Sequence, residues 1–386
     1  MTQGASSEVV RDINRRLVLH LIRKRHPISR ADLARVSGLQ RSTISLIVEQ
    51  LIEERWVLEG PTGRLPRGRR PTFLRLDEGR IIIGVDVRPI RTTVALADAH
   101  GRFLSQDVMN TPGDPEAGIA ALIASIQRMM SASKGRTIEG VGISLPGRFD
   151  HAQNRLVFAP NLNWRDLDIR TPIAQATGLD VELENAANAC VLAAVWFDPS
   201  PAVRNLVVVT VSEGIGTGVL ANGQLVSGLN GMAGEFGHVP IDPQGPPCGC
   251  GGRGCWEVFA SNRAALRYYR EASGQSSSDF IELLNSADGG DEHATQALNL
   301  MASYLGQGMR MIVAGLAPER IMIVGDLTRS WQRFGPVIEA QVQAQTLPGG
   351  CPPDVVPVHE DGMARLRGTV ALILQKHFGT GVEVPD

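Results

Sequence analysis

Three of the chain's five cysteines fall within eight residues, Cys248 to Cys255, behind a histidine at 238, and this cluster restricts the fold more than any other stretch. The spacing is His238-x9-Cys248-x-Cys250-x4-Cys255. Three thiolates and an imidazole gathered this tightly suit a closed tetrahedral zinc site, in which protein fills every coordination position. Gly249, Gly251, Gly252 and Gly254 let the backbone bend around one ion. A disulfide or buried free thiols are the alternatives. An odd cysteine count and no secretory signal weigh against a disulfide framework. A four-ligand site of this kind holds structure and performs no chemistry by itself.

The net charge of −2 conceals two unlike parts. Residues 1–80 carry 16 Lys/Arg against 9 Asp/Glu, whereas the remainder carries 22 against 31. A basic segment on an acidic body predicts that the first meets a polyanion and the second does not; a solvated helical surface is the bland alternative. A length of 386 residues suggests two or three domains. No apolar stretch approaches membrane-spanning length and the N-terminus has no hydrophobic signal core. The chain is therefore expected to be soluble and cytoplasmic, where thiols stay reduced and available to metal.

Within residues 1–80, Val10, Ile13, Leu17 and Leu21 recur at helical spacing until His26-Pro27. Ser29, with Asp32 three residues on, predicts a capping box opening a short helix, and Gly38 a turn. Arg41 opens a third helix with an apolar face of Ile44, Ile47, Val48, Leu51 and Ile52. This is the helix-turn-helix order, with the third helix placed for the major groove of a double-stranded DNA operator. Its candidate base contacts are Gln40, Arg41, Ser42, Thr43 and Ser45. Two strands, Trp56–Glu59 and Thr72–Leu76, flank a basic Gly/Pro-rich stretch holding Arg64, Arg67, Arg69 and Arg70, which reads as a wing on phosphate or the minor groove. An ordinary helical bundle with a linker is the alternative.

Residues 81–386 show one pattern twice. Strands are predicted at 81–87, 91–97, 102–109 and 140–144, then again at 205–211, 216–221 and 224–227, with helices at 115–133, 188–196, 263–271, 294–314 and 364–377. That repetition predicts a duplicated α/β body with a cleft between two lobes, about 81–200 and 201–386, the last helix returning to the first lobe. Residues 347–357 read as a Pro/Gly-rich connection, and Cys190 and Cys351 as structural or incidental.

The run from Gly237 to Glu257 (GHxxxxxxxxxCxCGxxGCxE) resembles the signature of the ROK family of repressors and sugar kinases. GxSLPGxxD at 142–150, APNLxW at 159–164, ENxxNAxxLAA at 184–194 and GIGxG at 214–218 extend the match across nearly all of the body. With the winged helix-turn-helix in front, the chain is similar to the family's repressor branch, which includes xylose and N-acetylglucosamine repressors. The resemblance implies an actin/hexokinase-like, ribonuclease H-like two-lobed body, structural zinc on His238, Cys248, Cys250 and Cys255, and assembly as a homodimer or homotetramer. It also implies a pocket for a sugar or sugar derivative lined by Gly147, Asn185, Glu235, His238 and Glu257, which Arg148 or Asn161 could join. Amide, carboxylate and imidazole groups suit hydroxyls that both donate and accept. The alternative for Glu235 and Glu257 is that they only orient the zinc ligands.

The kinase members use an aspartate directly after the motif's asparagine, and here that position is Ala186. The family's DxGGT phosphate loop matches Asp86-Val87-Arg88-Pro89-Ile90, Glu213 precedes the surviving Gly214–Gly218 loop, and a later double glycine reads Gly325-Asp326. The expectation is a sugar-responsive regulator with no catalytic residues; the alternative is an active ATP-dependent sugar kinase carrying a regulatory DNA-binding head.

Overall fold

The N-terminal elements form where local chemistry dictates them. In this computed structural model, which describes residues 7–62, 71–150, 155–159, 161–198, 203–344, 350–358 and 363–379, helix α1 spans Ser7–Lys24. A two-residue strand β1 (Ile28–Ser29) follows, then α2 (Arg30–Ser37). Ser29 Oγ accepts from Asp32 N at 3.3 Å while Asp32 Oδ2 accepts from Ser29 N at 3.1 Å, so both orphan donors at this helix start are satisfied. Gly38, at φ 70°, turns the chain into α3 (Arg41–Glu53), whose Ile44, Ile47, Val48 and Leu51 are buried. Strands β2 (Val57–Thr62) and β3 (Thr72–Leu76) pair antiparallel, and β1 joins on the far side of β3. Arg64, Arg67, Arg69 and Arg70 lie outside the described residues.

The first lobe contains β4 (Arg80–Val87), β5 (Arg91–Asp98), β6 (Phe103–Asn110), α4 (Pro115–Ala132), β7 (Thr137–Leu145), a small sheet of β8 (Arg148–Asp150), β9 (Arg155–Ala159) and β10 (Trp164–Leu167), then α5 (Arg170–Thr177), β11 (Val181–Asn185) and α6 (Ala186–Phe197). Its main sheet runs β11-β7-β4-β5-β6. The second lobe holds β12 (Leu206–Val211), β13 (Ile215–Ala221), β14 (Gln224–Leu225), α7 (Glu257–Ala260), α8 (Asn262–Ser273), α9 (Phe280–Asp288), α10 (Glu292–Leu316), β15 (Arg320–Val324), α11 (Trp331–Gln343), β16 (Asp354–Pro357) and α12 (Met363–Phe378). Its sheet runs β14-β13-β12-β15-β16. Counted within each lobe, both sheets have strand order 3-2-1-4-5, so the duplicated α/β architecture holds. One local expectation is corrected: residues 347–357 include β16, which pairs in parallel with β15, because its backbone groups find partners on a strand more than thirty residues earlier.

Helices α7 to α11 cover one face of the second sheet in a core that includes Trp256, Leu305 and Phe334. The opposite face, with Val208 and Val324, meets Cys190 and Val191 of α6 and Ala364 of α12. Helix α12 also lies on the first sheet, where a Cβ at Gly142 would come within 2.1 Å of Thr369 O. A further core joins Leu19, Ile22, Ile44 and Trp56 of the N-terminal elements to Leu192, Trp196, Val370 and Phe378 of α6 and α12. None of the described helices is long and apolar enough to cross a membrane.

Candidate metal centre and interlobe cleft

The metal-binding loop is shaped by short-range backbone bonds. Cys248 N donates to Gly252 O at 2.9 Å, Gly254 N to Pro246 O at 2.8 Å, and Trp256 N to Val239 O at 3.0 Å. Gly254, at φ 63°, cannot be replaced without a clash, since a Cβ there would sit 1.5 Å from Asp242 O. Trp256 anchors the loop to α10: it is fully buried and its Nε1 donates to Tyr304 O at 2.9 Å.

These constraints bring one donor atom each from His238, Cys248, Cys250 and Cys255 within 4.8 Å of one another. Cys250 Sγ and Cys255 Sγ are 3.7 Å apart, and Cys248 Sγ is 3.6 Å from His238 Nδ1. Zinc–sulfur bonds of about 2.3 Å in a tetrahedron imply edges of roughly 3.7 Å. The donor set and the spacing therefore fit zinc, with Nδ1 as the imidazole ligand. Burial pushes the Cys248 thiol up, and Glu257, whose Oε1 lies 3.0 Å from its sulfur, adds to the effect. A bound dication would take the place of that proton, because cysteines ligate as thiolates.

Two carboxylates stand beside the metal ligands. His238 turns Nε2 towards Glu235 Oε2 at 3.8 Å, and Glu257 Oε1 lies 3.5 Å from Nδ1. Partial desolvation raises the Glu235 carboxyl, His238 and Arg148 pull it down, and Glu257 raises it further. Arg148 belongs to β8 of the first lobe. Strand β13 is the shared support: a Cβ at Gly237 would meet Ile215 O at 2.2 Å, and one at Gly218 would meet Ala187 O at 2.6 Å. A Cβ at Gly214 would come within 2.6 Å of Glu257 Oε2, so the glycine lets that carboxylate lie close beside the loop.

On the first-lobe side, Asn185 ends β11 in parallel register with Leu145, so Asn185 and Gly147 sit at neighbouring strand ends. Gly147 has φ 109° and packs on Phe158 O. Asn185 is the N-cap of α6, accepting from Asn188 N at 2.8 Å, and Ala186 is the helix's first residue. Buried Glu184 accepts from Asn185 N at 2.8 Å and from Asn188 Nδ2 at 3.0 Å; it was absent from the candidate residues although it stands within the same motif. In the loop after β4, Arg88 Nε donates to Asp86 Oδ2 at 2.7 Å. Although burial works against it, that guanidinium is held above its ordinary range by Asp86 and then by Asp326 of the second lobe.

In the N-terminal segment, Gln40, Arg41 and Ser42 are exposed at the start of α3, while Thr43 and Ser45 are half-buried. This surface is joined to the body by α6. Arg23 donates to Trp196 O at 2.9 Å, its guanidinium lies 4.5 Å from the Trp196 ring, and His20 meets the same ring edge-on at 6.4 Å. Arg15 donates to His377 O at 3.4 Å, and Trp56 packs against His377 and Phe378 of α12.

The ROK family profile matches residues 82–376. The xylose repressor of Bacillus spizizenii is 34% identical over 351 residues, covering 89% of this chain and 90% of that protein. A crystal structure of a ROK family transcriptional regulator, a homologue of the E. coli MLC protein, superposes with a TM-score of 0.82 at 26% identity, covering 97% of this chain and 99% of the other. A ROK family glucokinase from Streptomyces griseus, solved with glucose and AMPPNP, gives 0.70 at 28% identity over 76% of this chain and 99% of the other. The glucokinase match thus leaves about a quarter of this chain uncovered, whereas the regulator match spans nearly all of it.

Proposed function

We propose a function from one premise: this chain belongs to the ROK family. It is a sugar-responsive transcriptional regulator similar to xylose repressors. The helix-turn-helix binds operator DNA, two copies reading a two-fold site, and the interlobe cleft binds a sugar or sugar derivative. Asn185, Glu235, His238 and Glu257 supply hydroxyl partners, and zinc fixes the wall that carries the last three.

The observation that carries this reading is the course of α6. It is capped by Asn185, one of the proposed sugar contacts, and carries Trp196 in its last turn against the N-terminal elements, about 16 Å along the axis for eleven residues. A ligand that displaces the first turn of this rod relative to the sheet shifts Trp196, and with it Arg23 and α1. Such coupling requires that the sugar bind the DNA-competent and DNA-incompetent arrangements unequally.

The body does not phosphorylate on this reading. Ala186 cannot accept a proton, and loss of a positioned base costs about 100- to 10,000-fold. Pro89 lacks the N–H that a phosphate cradle uses, and Arg88 closes back on Asp86. The intact Gly214–Gly218 loop is what favours the alternative, a sugar kinase with a regulatory head. A sugar panel with ATP and a genomic DNA pull-down test both points. The expected result is enrichment of discrete fragments without ADP formation. Sugar-dependent ADP release at enzyme-like rates overturns the first point, and absence of enriched fragments overturns the second.

A further inference from the structure

Helix α3 buries Ile44, Ile47, Val48 and Leu51, so the direction opposite its core passes through Ser42, Leu46 and Glu49. Leu46 is 68% exposed there, an unusual placement for so large an apolar side chain on a helix whose other apolar residues are covered. Isolated surface leucines are ordinary. This one differs in its setting. It stands one turn in from the helix start, with the short side chains of Ser42 and Thr43 beside it on the N-terminal side, so its isobutyl group is the largest apolar group on that exposed side. Charge along the helix changes sign around it. Arg41 lies at the N-terminal end, and Glu49 and Glu53 follow in the C-terminal half. Phosphates repel that acidic half, so α3 enters a groove with its N-terminal end foremost, and Leu46 marks the depth at which entry stops, about 7.5 Å along the axis from Arg41.

An apolar group at that depth in the major groove has one apolar partner to meet, the C5-methyl of thymine. We infer that Leu46 reads a thymine methyl in each half-site, adding a hydrophobic selection to the polar contacts of Arg41, Ser42 and their neighbours. This inference rests on the DNA-binding reading above.

The test starts with the tightest duplex that the full-length protein selects from a random library. Each thymine is then replaced singly by deoxyuridine, which removes the methyl and nothing else. Wild-type protein should lose about fourfold in affinity at one position per half-site, the worth of one buried methyl group. Leu46→Ala, whose exposed site leaves the thermal midpoint unchanged, should bind the methylated and demethylated duplexes equally. Equal losses in wild type and variant, or no sensitive thymine at all, overturn the role of Leu46. Failure to select any duplex overturns the DNA-binding reading together with it.

Discussion

Acid should loosen the junction between the DNA-binding head and the body through His20. This imidazole is 6% exposed against Trp196, and burial, then Arg23 and Lys24, lower its pKa from 6.5 to about 4. The unfolded chain therefore takes up the proton first as pH falls. Stability is intact above pH 6.5, declines below it, and the loss is complete near pH 4. At about 1.4 kcal/mol per pH unit the full contribution is about 3 kcal/mol, and about 2 kcal/mol is already lost at pH 5. His377, also lowered to about 4 chiefly by burial, acts in the same direction at the same junction. The assay is urea unfolding of zinc-loaded protein at pH 7.5 and pH 5, for wild type, His20→Leu and His20→Gln. Other titrating groups contribute equally to all three, so the informative quantity is the difference between pH-induced losses. Both variants should lose about 2 kcal/mol less than wild type between the two pH values. Identical losses refute the placement of a neutral, buried His20 at this junction.

Other consequences concern the metal and the wing. His238→Ala removes one of four zinc ligands and one proposed sugar contact, so zinc content by mass spectrometry and the sugar response of DNA binding should fall together; full zinc with an unchanged response separates the two roles. Replacing both Arg69 and Arg70 by alanine should weaken binding to all duplexes and flatten the log–log salt dependence by about 2, the worth of two phosphate contacts. An unchanged slope takes both residues off the phosphates.

What could be read from sequence was what local chemistry determines. Ser29 and Asp32 announce their capping box, Gly38 its turn, and the four zinc ligands lie within eighteen residues, where spacing alone implies geometry. The halves of the sheets formed by hairpins were equally legible. Strands β15 and β16 were not, because Arg320–Val324 is a short apolar run without alternation and Asp354–Pro357 sits in a Pro-rich stretch; both become strands through parallel pairing with distant segments. The junction of head and body was hidden for the same reason. Arg23 and Trp196 are 173 positions apart, and Arg15 and His377 are 362 apart. No periodicity in either segment reports such a contact. Likewise, Asn185 could be matched to a sugar-binding position, but its second role as the cap of the helix that reaches the head emerged only from the fold.

The central claim is that a sugar in the cleft changes the affinity of the head for DNA without being phosphorylated. Fluorescence anisotropy on a duplex recovered from the genomic pull-down, titrated with protein at fixed salt in the presence and absence of D-xylose and other simple sugars, measures it directly. At least one sugar should shift the dissociation constant by fivefold or more, the lower end of about 5- to 150-fold for allosteric coupling, and the sugar should be recovered unmodified after incubation with ATP. A dissociation constant that no sugar moves, or recovery of a sugar phosphate, contradicts the claim.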